Sequence, residues 1–175
     1  MINSALYTNQ SSKISLIGIL IILFLGFSNF MDNSFFHPKI IKVGWWNIRN
    51  LSDASRTDSE IELIAKVIRE LDVIVIGELN DRYVLDRISS VLGEQWDWAV
   101  TNQKIGRSQY SAEYYGFLWN SQHLSIIDSI HIDTDPNDQF DRDPAWVSFR
   151  SVSGEFDFTL IGVHVTWGKK GVNPR

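Results

Sequence analysis

The chain has 175 residues, of which 44% are hydrophobic and 13% aromatic, and its formal net charge is -5. That length can bury a real core, and that composition excludes a disordered chain. The negative balance excludes polyanion binding by the global field, and the absence of cysteine excludes disulfides and thiolate chemistry.

Lys13 precedes an apolar run over 14–27, shorter than the roughly 20 residues that a membrane span requires. The run matches the apolar region of an export signal, and Gly26 and Ser28 supply the small residues a cleavage site prefers. Residues 1–28 are therefore expected to be a signal peptide cleaved near Ser28. An uncleaved anchor is the first alternative and a buried helix the second. Residues 29–39, which include His37 and Pro38, read as a linker. The expected location is secreted or periplasmic, with membrane contact only through the N-terminal segment.

Ile40 to Ile48 predicts a first strand, with Trp45 and Asn47 on one face and Trp46 and Ile48 on the other. Thr57 to Glu60 is a capping-box pattern, and Ile61, Ile64, Ala65 and Ile68 then mark one apolar helical face. Asp72 to Glu78 carries a Val-Ile-Val-Ile run, the pattern of a buried parallel strand. Asn80 or Asp81 can cap a second helix whose apolar positions are Val84, Leu85, Ile88, Val91 and Leu92. Two strands joined by a helix predict a right-handed crossover.

From Trp96 the pattern turns antiparallel. The expected strands are Trp96–Thr101, Glu113–Trp119, Leu124–Ile132, Trp146–Arg150 and Phe156–Thr166, with turns at Asn120-Ser121 and Ser153-Gly154. Strands crowding after a helical start predict an α/β (α+β) protein with a mixed sheet and helices on one face.

Glu78 follows four β-branched residues and Gly77, where a carboxylate is costly unless it is paired or binds a cation. A solvated strand end is the plainer alternative. Asn47 is a turn former by type and a ligand or phosphate contact by position. His164 alternates with Gly162 and Thr166, small enough to leave room for a substrate on that face. Glu113 heads a row of Tyr115, Phe117 and Trp119, and is placed either in solvent or against a histidine of a neighbouring strand. Arg49, Arg107 and Arg142 stand near strand ends, where guanidinium groups clamp phosphates. His37, His123 and His131 read as structural or surface residues. The acidic stretch Asp133 to Asp138 lacks the glycine and the final glutamate of an EF-hand. A weak structural Ca²⁺ site there stays open.

Five motifs now stand in order: Trp46 to Ser52, Val75 to Asp81, Gly106 to Tyr110 with Glu113 to Phe117, Phe140 to Pro144, and Phe158 to His164. From about residue 40 onward the chain resembles the endonuclease/exonuclease/phosphatase superfamily, within it the arm typified by secreted pancreatic deoxyribonuclease. The resemblance implies a four-layer α/β/β/α sandwich, with 40–175 as the N-terminal portion of the domain. It implies Glu78 as the carboxylate ligand of Mg²⁺ or Mn²⁺, with Asn47 assisting metal or phosphate. His164 would be a catalytic histidine held by Glu113. Arg49, Tyr110 and Arg142 would contact the DNA backbone or phosphate.

The implied reaction is in-line hydrolysis of a phosphodiester in DNA or another substrate, with no obligate protein partner. Asn80 stands where that arm often has an arginine reaching into the minor groove, so double-strand preference is not implied. The family's Asp-x-Asn motif and final Asp-His pair have no counterpart, because Asp135 to Asn137 precedes His164. The C-terminal half of the fold is thus expected to be missing. The chain would supply roughly the first sheet and its helices, expose an apolar face, and lack activity alone. A phosphatase or lipid-headgroup phosphodiesterase is one alternative. A non-catalytic remnant or nucleic-acid-binding module is the other.

Overall fold

The computed structural model describes residues 40–137, 139–154 and 156–165. The expected signal segment 1–28, the linker 29–39 and Thr166 lie outside the described residues. The elements are β1 (Val43–Leu51), a 3-10 turn (Asp53–Ser55), α1 (Asp58–Ile68), β2 (Val73–Leu79), α2 (Tyr83–Leu92), β3 (Trp96–Val100), β4 (Tyr114–Asn120), β5 (Leu124–Ile126), β6 (His131–Ile132), β7 (Ala145–Ser151) and β8 (Asp157–Gly162). Among the described residues no helix is long and apolar enough to cross a membrane.

Thr57 opens α1 through the capping box. Its hydroxyl accepts from the Glu60 amide, and the Glu60 carboxylate accepts from the Thr57 amide at 2.8 Å. Before α2 the bonding runs one way only: Asp81 Oδ1 accepts from the amides of Tyr83 and Val84 at 3.0 and 3.2 Å. Both helices bury their apolar stripes against one face of a sheet ordered β1-β2-β4-β3. Strand β2 pairs parallel with β1 and antiparallel with β4. It is buried on both faces. Ile74 and Ile76 meet the helices, whereas Val73 and Val75 join a second core with Tyr115, Phe117, Val147 and Phe149.

That second core lies against a second sheet, so one mixed sheet is not what forms. In it β7 is central, with β5 and β6 along one edge and β8 along the other. The described layers are therefore helices, first sheet and second sheet. The inner apolar face of the first sheet is covered by the chain's own later strands.

Three local expectations are corrected. Leu124–Ile132 is two short strands, because the ladder to β7 is interrupted between Ile126 and His131. Val91 is 39% exposed, since it points off the buried stripe of α2. Strand β8 ends at Gly162, which leaves His164 on the segment that follows rather than within the strand.

Candidate active site

The site begins with an irregularity in β1 and β2. The pairing of Asn47 with Gly77 is followed by that of Leu51 with Leu79, so three residues of β1 face one of β2. A second irregularity, between β2 and β4, spans Gly77 and Glu78 and so includes the same residue. Bulges of this type re-aim a side chain. Here Asn50 and Glu78 both take φ near +54°, a left-handed conformation that costs a residue with a side chain about 1–3 kcal/mol.

Hydrogen bonds offset that strain. The Glu78 carboxylate accepts from the Asn47 amide at 2.8 Å and from the Asn50 backbone at 3.1 Å. The Glu78 backbone N–H in turn donates to Glu113 Oε1 at 3.2 Å. The Asn47 hydrogen bond, more than any other contact, holds the Glu78 carboxyl below its ordinary range, with smaller help from Asn50, His164 and Arg142. Among the described residues no arginine or lysine is bonded to Glu78, so its charge stays available.

Glu113 sits just before β4, in an isolated bridge with Ile105, and is buried. Its Oε1 lies 2.7 Å from His164 Nδ1, and its Oε2 lies 3.1 Å from Arg142 Nε. A carboxylate at Nδ1 selects the tautomer with the proton there and turns Nε2 outward. Nε2 is 4.0 Å from Glu78 Oε1. Trp45 stands edge-on to the imidazole, with ring centroids 6.4 Å apart. Gly77 permits this approach, because a Cβ there would lie 3.3 Å from Trp45 Cζ2.

Asn47, Glu78, Glu113 and His164 therefore converge. The expected phosphate contacts divide. Arg142 is turned inward, bonded to Glu113, to Asp141 and to the Ser111 carbonyl, with a side chain only 14% exposed. Its position supports Glu113 rather than an open phosphate site. Arg49 is exposed, and its backbone amide donates to Asn47 Oδ1 at 3.0 Å. Tyr110 is 90% exposed, on a turn whose Ser111 carbonyl accepts from Arg142 at 3.1 Å. Trp45 was the residue missed as a neighbour of the imidazole, although its alternation with Asn47 already put both on one face.

One carboxylate with an adjacent amide suits Mg²⁺ or Mn²⁺, which keep several waters and take one or two carboxylates. Among the described residues no three His, Cys, Asp or Glu side chains gather as a metal cage, in the acidic stretch or elsewhere. In that stretch Asp135 Oδ2 instead accepts from the Phe140 amide at 2.7 Å.

The fold has solved counterparts. The endonuclease/exonuclease/phosphatase from Bacteroides vulgatus superposes with a TM-score of 0.51 at 13% identity, over 69% of this chain and 51% of that one. The human Nocturnin catalytic domain, solved with a bound sulfate anion, gives 0.52 at 9% identity, over 74% and 52%. This is the deoxyribonuclease I-like fold. The chain is similar in sequence to deoxyribonucleases. Deoxyribonuclease-1 of Bos taurus is 26% identical over 71% of the chain and 48% of its own length. The deoxyribonuclease of Thioalkalivibrio sp. (strain K90mix) is 25% identical over 74% and 36%. The chain thus spans about half or less of the length of these curated relatives. No family model matches it.

Proposed function

We propose that this chain carries part of the active site of a metal-dependent phosphodiester hydrolase, an exported deoxyribonuclease-like endonuclease. One observation supports this above all: four polar residues from four distant segments meet, with Glu113 on His164, the imidazole 4.0 Å from Glu78, and no arginine or lysine bonded to Glu78 among the described residues. A divalent cation would be held by Glu78 with Asn47 beside it, and supplies Lewis-acid stabilisation of charge on phosphoryl oxygens. Glu113 orients the imidazole through its Nδ1. Nε2 is the atom that holds or passes a proton at the phosphate. The deoxyribonuclease relatives favour DNA over a phosphomonoester or lipid headgroup as the substrate.

A single imidazole with a single carboxylate at the metal cannot both activate water and protonate the leaving oxygen. The chain alone is therefore expected to bind metal while cutting DNA weakly or not at all. Mn²⁺ added to the protein should broaden the NMR signals of Asn47, Glu78 and Asn50, and Glu78→Gln should abolish the effect. Broadening that survives Glu78→Gln removes the metal reading. Robust Mg²⁺-dependent plasmid cleavage by the chain alone removes the inactive-alone reading.

Export rests on the apolar run 14–27 and the small residues Gly26 and Ser28. A reporter fused after Asp32 should leave the cytoplasm of a bacterial host, and its retention there would count against export.

A further inference from the structure

Among the described residues one buried side-chain polar atom has no hydrogen-bond partner, the hydroxyl of Tyr115. Tyr115 is 0% exposed and shares a strand face with Glu113, two residues earlier. An unpaired hydroxyl in a core costs about 1–3 kcal/mol, and phenylalanine would fill the same space without it. The hydroxyl therefore calls for an account beyond packing.

Its surroundings supply one. Burial, and after it the charge of Glu113, pushes the phenol up to about 12, so the group is a neutral hydroxyl at any ordinary pH. The main chain of His164 acts on it in the opposite sense, as a backbone N–H facing the oxygen does. The segment leading to His164 also rests on the ring. A Cβ at Gly162 would lie 3.1 Å from Tyr115 Cδ1 and 2.9 Å from Val75 Cγ1, so only glycine lets the chain pass this close.

We propose that Tyr115 is a positioning residue whose hydroxyl holds the main chain of His164 through one buried water, and so sets the imidazole between Glu113 and Glu78. The proposal rests on the reading of His164 as the imidazole of the site. Glu113 fixes the ring from its Nδ1 side. Beyond Gly162 the chain has left β8, and ladder bonds no longer hold its backbone. A hydroxyl beneath that backbone replaces the lost ladder where the imidazole must not drift.

The test is Tyr115→Phe in the full chain, which keeps the ring and removes one oxygen. Hydrogen exchange of the His164 amide and the NMR signal of its Nδ1 proton would be followed, with the Val75 and Phe117 amides as core references. The His164 amide should exchange about tenfold faster, the scale of one net hydrogen bond, and the Nδ1 proton signal should broaden. Val75 and Phe117 should not change. An unaltered His164 would overturn the proposal. So would equal acceleration at Val75 and Phe117, or loss of folding, since either makes Tyr115 a packing residue. No substrate enters the measurement, so it can fail while phosphodiester hydrolysis stands, and the reverse.

Discussion

Glu113 is the residue on which the site turns, because three groups depend on its one carboxylate. It faces His164 Nδ1 at 2.7 Å, Arg142 Nε at 3.1 Å and the Glu78 backbone N–H at 3.2 Å. Its side chain is only 5% exposed, and that of Arg142 14%. Removing one partner of a buried ion pair leaves the other charge uncompensated, at a cost of about 3 kcal/mol. Glu113→Gln should lower the stability to urea by roughly that amount. Arg49→Gln, on an exposed side chain, should change it by less than about 0.5 kcal/mol. Equal effects of the two variants would mean that Glu113 is not the hub described. Sequence reading placed Glu113 near a histidine but assigned Arg142 to phosphate. The spacing of Arg142 from strand ends is the same in either role, and only the packing of its segment against Glu113 separates them.

Among the elements, α1 is the one whose start was most legible. The box from Thr57 to Glu60 is a local pattern, closed by contacts within one helical turn, so no distant residue is needed to form it. The Glu60 carboxyl is held below its ordinary value, chiefly by the Thr57 backbone N–H. A lowered folded value means that the contribution is present above the ordinary carboxyl range and is lost as pH falls through the folded value. The stability difference between the wild-type chain and Glu60→Gln should thus be full near neutral pH and vanish in acid. Thermal denaturation at several pH values checks this, and a gap that persists in strong acid would refute it. Thr57→Ala should cost about 1 kcal/mol as the loss of a cap. The strands after β4 were less legible. Alternation marks which residues face inward, but it does not say which sheet a strand joins.

At the scale of the whole molecule, the open side is where β1 and β8 end their sheets. Among the described residues β1 pairs only with β2, and β8 only with β7. Trp45, Ile161, Val163 and Val165 line a groove beside His164, with exposures of 45, 54, 37 and 60%. Unpaired edges flanked by apolar side chains recruit further strands. The isolated chain should therefore self-associate at micromolar concentration, and Ile161→Lys should reduce this, as sedimentation velocity would report. A wild-type chain that stays monomeric under these conditions would show that the edge is better protected than its exposure implies. The apolar face expected to be bare is thus only partly so. The chain covers most of the first sheet with its own second sheet and leaves one side open.

The sequence by itself determined both helices and the parallel β1-β2 pair, which follow from short-range patterns: a period of 3.6 or 2 and a capping box. The fold type and the choice of Asn47, Glu78, Glu113 and His164 as site candidates came from the ordered motifs and the family they resemble. Tertiary structure decided the rest. It split the later strands into a second sheet, because alternation marks the inward face of a strand but not the sheet it joins. It ended β8 before His164 and turned Arg142 inward. It also set Glu78 in a left-handed conformation at a double bulge, which aims the carboxylate into the site. No local preference favours that conformation for glutamate. Bonds from Asn47 and Asn50, on another strand, hold it there, and their geometry exists only once β1 and β2 have paired.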